Sequence, residues 1–92
     1  MDLNISQLER KYDRVEQNGN KVMVHLNPTS YGSALYKREG QWQMESEFLG
    51  KIANDVLMAL GLVAGSTEAA GMKVRVLSNG DHSIITEFKV GT

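Results

Sequence analysis

Two hydrophobic rhythms divide the chain. From Ser46 to Val63, in SEFLGKIANDVLMALGLV, the residues Phe48, Leu49, Ile52, Ala53, Val56, Leu57, Ala59, Leu60 and Val63 fall on one side of a 3.6-residue turn. That side covers about half the helix circumference, wider than the roughly 100° stripe that seats a helix on one core. A helix over 46–63 is therefore expected, with Ser46 as N-cap and the acidic Glu45 and Glu47 at the end where the helix dipole favours negative charge. Met58 and Leu62 lie beyond the apolar arc, on the side of Lys51, Asn54 and Asp55.

Most of the remaining chain alternates apolar and polar residues at the two-residue period of a half-buried strand. Before the first strand, Asp2 or Asn4 is placed to cap a short helix over about 4–11, with Ile5, Leu8 and Tyr12 along one face. Tyr12 to His25 admits a continuation of that helix toward Glu16. It reads better as a hairpin over 12–26 around Asn18-Gly19, because Asn-Gly tolerates the positive φ of a tight turn. Val15 is then expected opposite Val22, with Val22, Val24 and Leu26 on one side of the second strand and Lys21, Met23 and His25 on the other.

Asn27-Pro28-Thr29-Ser30-Tyr31-Gly32 is a loop by composition, and a second hairpin over 33–45 turns at Glu39-Gly40. A two-residue turn there pairs Leu35 with Met44 and Lys37 with Trp42, the lysine stem lying over the indole. After the long helix, Gly61 and Gly65 mark its end and Ala64 to Gly71 reads as a small-residue loop. A last hairpin over 72–90 is expected with a three-residue loop, Asn79-Gly80-Asp81, pairing Val76 with Ile84, Val74 with Thr86 and Met72 with Phe88. The expected fold class is α+β. A single antiparallel β-sheet built from hairpins carries one long helix on its apolar face and a short N-terminal helix beside it. The other face, with Lys21, Lys73, Arg75, Glu87 and Lys89, should be mostly wet.

At 92 residues the chain reads as a single domain, 1–92, since shorter pieces would not bury a core of their own. Ten Lys and Arg against eleven Asp and Glu give a net charge of −1, so no overall field draws it to nucleic acid or an anionic membrane. The absence of cysteine removes disulfides, thiolate metal sites and cysteine nucleophiles, and suits a cytoplasmic location. The polar start, MDLNISQLERKYDR, lacks the apolar run of a secretory signal, and Lys51, Asn54 and Asp55 interrupt the long helix too often for a bilayer span.

Candidate chemistry is sparse. His25 and His82 have no ligand partner at short spacing, so no metal is expected. Gly61-Leu62-Val63-Ala64-Gly65-Ser66-Thr67 looks like a phosphate loop but follows a helix, at the dipole's negative end, and carries no lysine; no cofactor is expected. No nucleophile elbow is present, and Glu39, Glu45, Glu47, Asp55, Glu68 and Glu87 read as solvated carboxylates, so the chain is not expected to be an enzyme. Basic clusters at Arg10, Lys11 and Arg14, at Lys37 and Arg38, and at Lys73 and Arg75 would permit a single-stranded nucleic-acid-binding module using a basic and aromatic strand face. Glu9, Asp13, Glu16, Glu39 and Glu45 sit among them, which makes that the alternative reading.

The expected function is protein–protein contact, as an adaptor, inhibitor or chaperone-like accessory factor of a size suited to bacteria or phage, and as a homodimer. One sheet does not cover half a helix circumference, so the N-terminal helix or a partner must take the excess. Expected partner-binding residues are Tyr31, Tyr36, Trp42, Met58 and Leu62: the aromatics around the Pro28 loop, and the two apolar residues outside the helix arc. Core packing is the competing role for Trp42.

Overall fold

The alternating stretches fold onto the helical one. The computed structural model describes residues 5–62, 65–79 and 83–90. A short helix, α1 (Ile5–Lys11), leads into the hairpin β1 (Arg14–Asn18) and β2 (Lys21–Leu26). Two 3-10 turns, Pro28–Ser30 and Gly32–Ala34, precede a ribbon of β3 (Leu35–Arg38) and β4 (Gln41–Met44). The long helix α2 (Ser46–Ala59), a one-turn helix α3 (Thr67–Ala70) and the hairpin β5 (Lys73–Asn79) and β6 (Ser83–Lys89) complete the order. The fold is α+β. Its main sheet is antiparallel in the order β1-β2-β6-β5.

The single sheet expected from the sequence is divided: β3 and β4 form a separate two-stranded ribbon. The 3-10 turns carry the chain out of the sheet after Leu26, with Asn27 capping the first of them through Thr29 N–H at 3.1 Å. Within the ribbon the expected register holds, Leu35 opposite Met44 and Lys37 opposite Trp42. Glu39 and Gly40 both have positive φ, 54° and 76°, the signs that a type I′ turn needs.

Two registers differ from expectation. The first turn is centred on Gly19-Asn20 rather than Asn18-Gly19, so Val15 faces Val24 and not Val22. Asn20 decides this: its backbone carbonyl accepts from Val90 N–H and its side-chain amide donates to Val90 O at 2.8 Å, tying the turn to the end of β6. In the last hairpin Val74 faces Phe88, Val76 faces Thr86 and Ser78 faces Ile84, not the pairs expected. The last described pair of that ladder is Asn79 with Ser83. The ladder with β2, which sets Val22 opposite Phe88 and Leu26 opposite Ile84, fixes β6 from its other side. Gly80, Asp81 and His82, the cap residues Asp2 and Asn4, and Val63 lie outside the described residues.

The long helix also begins and ends differently. Glu45 rather than Ser46 is the N-cap residue, without a side-chain capping bond. The helix stops at Ala59, four residues short of the expected end, because Gly61 takes a positive φ of 73°. Gly61 N–H donates to Met58 O and Leu62 N–H to Leu57 O, the paired bonds of a Schellman close. The stretch expected as loop contains α3, whose N-cap Ser66 accepts from Ala69 N–H at 3.2 Å.

The core lies between α2 and the middle of the sheet. Val22, Val24 and Leu26 of β2, Ile84 and Phe88 of β6, Ile52 and Val56 of α2 and Leu8 of α1 are almost wholly excluded from solvent. Fully burying each such side chain contributes about 1.5–3 kcal/mol. Among the residues of β5 whose burial is described, 73–77, none belongs to this buried set.

Candidate interaction surface

The excess width of α2's apolar arc is taken up in part by α1. Leu8 is buried, and just past the helix Tyr12 donates its hydroxyl to Asp55 Oδ2 of α2 at 2.6 Å, with Lys11 Nζ at 3.3 Å from the other carboxylate oxygen. Burial, and then the Asp55 hydrogen bond and charge, push the Tyr12 phenol well above its ordinary pKa. Asp55 was expected in solvent. Its side chain is only 11% exposed, because α1 closes over it.

The arc's other flank is less covered. Asp55 faces α1, so Ala53 and Leu57, on the far side of the helical wheel, turn away from it. α1 packs beside β1, and β5 is the opposite edge of the sheet. A helix is about 10 Å across and strands are about 4.8 Å apart, so one helix covers about two strands. Ile52 and Val56 of α2 share the buried core with β2 and β6, α1 packs beside β1, and β5, approached by β4, keeps Val74 and Val76 partly exposed.

The result is seen in Val74 and Val76. Each is 38% exposed, although the residues opposite them on β6, Phe88 and Thr86, are fully buried. Beyond the valines, the outer backbone edge of β5 has no ladder partner among the described residues; β4 runs close to it without pairing. An apolar strip thus runs beside seven residues of strand whose outer edge makes no ladder bond among the described residues and has β4 close by.

The five residues expected at an interface are scattered. Tyr31 is half-buried, its ring 5.4 Å from that of Phe48 and tilted by 41°, and burial followed by the charge of Asp13 raises its phenol pKa. Trp42 is half-buried against the core, with Lys37 Nζ 5.5 Å from the ring centroid and its indole N–H enclosed without an acceptor. Leu62 is not on α2's polar side: the Schellman close folds it back onto the core. Only Tyr36, 43% exposed on the ribbon's outer face, and Met58, 65% exposed, are presented to solvent. Met58 rims a groove of about 320 Å³ between α1 and α2, lined also by Leu8 and Arg10.

Val74 and Val76 were missed because their alternation is that of any half-buried strand. The signal lay in counting, since a four-stranded sheet under one long helix must leave some strand uncovered.

On the sheet's open face the ladders line up Lys21, Lys89 and Lys73 across three adjacent strands, none in an ion pair among the described residues. The next cations along that face are offset by Glu16 and Glu87. Arg14 and His25 both approach Glu16, with His25 Nε2 at 3.5 Å from Oε1. Tyr31, Tyr36 and Trp42 are not in the four-stranded sheet; the basic residue found against an aromatic ring is Lys37, over Trp42 on the ribbon. Among the described residues no three His, Asp or Glu side chains gather as metal ligands, and no helix is long and apolar enough to cross a membrane.

No protein-family model, curated protein or solved structure matches the chain. Its function is read from its own geometry.

Proposed function

We propose that the protein is a binding protein rather than an enzyme, working in the cytoplasm through contact with another protein, and that it forms a homodimer through the β5 side of its sheet. The observation that carries this reading is the pair Val74 and Val76, exposed on the core-facing side of an edge strand whose cross-strand neighbours are fully buried. A contact here extends the existing core, burying apolar area at little cost in ordering, because the strand is already held by β6. The dimer then presents Tyr36 and Met58 twice, in the manner of an adaptor, inhibitor or chaperone-like accessory factor.

Light scattering at micromolar concentration tests it. The expected mass is twice the 10.2 kDa of the chain, falling to that of the chain for Val76→Lys and unchanged for Met58→Glu. A wild-type protein that stays monomeric over the whole accessible concentration range would contradict the reading.

A further inference from the structure

We infer that the open face of the main sheet carries a site for a linear oligophosphate, held by Lys21, Lys89 and Lys73. The site does not depend on the protein-contact reading above, since it lies on the face opposite α2 and uses none of the residues that carry that reading. It begins from a row of like charges. Directly opposed residues of an antiparallel ladder share a face, and the registers set Lys21 opposite Lys89 and Lys89 opposite Lys73. Like charges so placed destabilise a sheet, and none of the three forms an ion pair among the described residues. The next row along the strands follows the ordinary rule, with Arg75 opposite Glu87. The lysine row is thus where the fold tolerates a repulsion that a bound anion would remove.

The shape of the row selects the anion. With strands about 4.8 Å apart, the three Cα atoms span about 10 Å in a line across the strands. Lys21 and Lys89 are half-buried, so part of each stem lies against the sheet, and Lys73 is exposed. Asn18, opposite Lys21, ends the row with an amide able to donate a further hydrogen bond. The positive zone is only one row deep. About 7 Å along the strands stand the carboxylates Glu16 and Glu87, on β1 and β6. A broad anionic surface, such as a membrane or a nucleic-acid duplex, would press its charges against those carboxylates. A single phosphate meets one or two of the lysines, whereas a chain of three meets all of them. Each ammonium is a compact charge with three rotatable donors, which suits it to phosphate oxygens.

Equilibrium titration of the full chain at low salt tests the site, with inorganic tripolyphosphate as the probe. Tripolyphosphate is expected to bind more tightly than orthophosphate, and to weaken as ionic strength rises past about 0.1 M, where screening sets in within about 10 Å. Lys89→Gln and, at the exposed end of the row, Lys73→Gln should each weaken it about tenfold, while Lys51→Gln, the same loss of charge on the exposed side of α2, leaves it unchanged. Adenosine triphosphate binding more tightly than tripolyphosphate assigns the site to a nucleotide; equal or weaker binding assigns it to the inorganic chain. The site is overturned by the absence of binding at low salt, by equal weakening from Lys51→Gln, or by tighter binding of a single-stranded oligonucleotide than of tripolyphosphate. None of these outcomes bears on the dimer, which light scattering reports separately.

Discussion

β2 and β5 carry nearly the same alternation and meet opposite fates. Lys21-Val22-Met23-Val24 and Lys73-Val74-Arg75-Val76 both put two valines on the face toward the helices. In β2 those valines are 1% and 0% exposed; in β5 both are 38% exposed. β2 lies between β1 and β6 in the core with α2, whereas β5 pairs only with β6 among the described residues. The two-residue period therefore specifies which face a side chain takes. Whether that face is covered depends on how many strands the helices span, a property of the whole molecule. The difference teaches that an uncovered strand with a core-type pattern marks the surface where this protein has burial left to gain.

The largest expected effect sets the two strands directly against each other. Val24→Lys places a charge in the dry centre of the sheet, where even a relaxed protein loses several kcal/mol per unpaired ion, comparable to the roughly 5–15 kcal/mol that hold a domain together. That variant should be unfolded or nearly so by circular dichroism. Val76→Lys should keep the monomer fold and its melting cooperativity while losing the dimer. Equal damage from both substitutions would show that β5 is as enclosed as β2.

A smaller effect concerns the edge that is covered. Tyr12→Phe removes the hydrogen bond to a carboxylate that is 11% exposed, and should cost about 1.5–3 kcal/mol in urea unfolding. The same bond carries a pH signature. The Tyr12 pKa is raised on folding, so its contribution is complete below the unfolded tyrosine pKa of about 10 and declines as pH rises beyond it. Wild type should lose stability above about pH 10 more steeply than Tyr12→Phe; Tyr31, shifted in the same direction, keeps the variant's slope from vanishing. Parallel profiles for the two proteins would mean that α1 does not hold Asp55 as described.

The smallest effect is a gain. Thr86, between Val24 and Val76 on the core face, is fully buried and its hydroxyl has no hydrogen-bond partner among the described residues. Thr86→Val keeps the shape and removes the unsatisfied group, so unfolding free energy should rise by about 1–3 kcal/mol. A loss of stability would show that the hydroxyl has a partner, and that the centre of the sheet is less dry than its edge contrast requires.

Local patterns were legible wherever local physics decides. The ribbon's register followed from Glu39-Gly40, because a two-residue turn fixes its own strands, and α1 is where its apolar spacing put it. The division of the sheet, the slip of the last hairpin and the Gly19-Asn20 turn were not legible. The last two are fixed by distant neighbours, β2 against β6 and Val90 against Asn20, and the first by 3-10 turns in a stretch that composition reads only as loop. The end of α2 was hidden because Leu60 and Leu62 continue the apolar rhythm past the point where Gly61 reverses the backbone. Of the exposed residues, Met58 was readable as an apolar residue outside the helix arc and Tyr36 as an aromatic of the second hairpin. Val74 and Val76 were not, since nothing within their own strand records that it is an edge.

Amide hydrogen exchange as a function of protein concentration tests the central contrast most directly. Amides of β5 that point away from β6 should exchange quickly in dilute protein and slow in step with dimer mass as concentration rises, while those of β2 stay protected throughout. Exchange from β5 that is the same at every concentration, in protein whose β2 remains protected, would contradict the account.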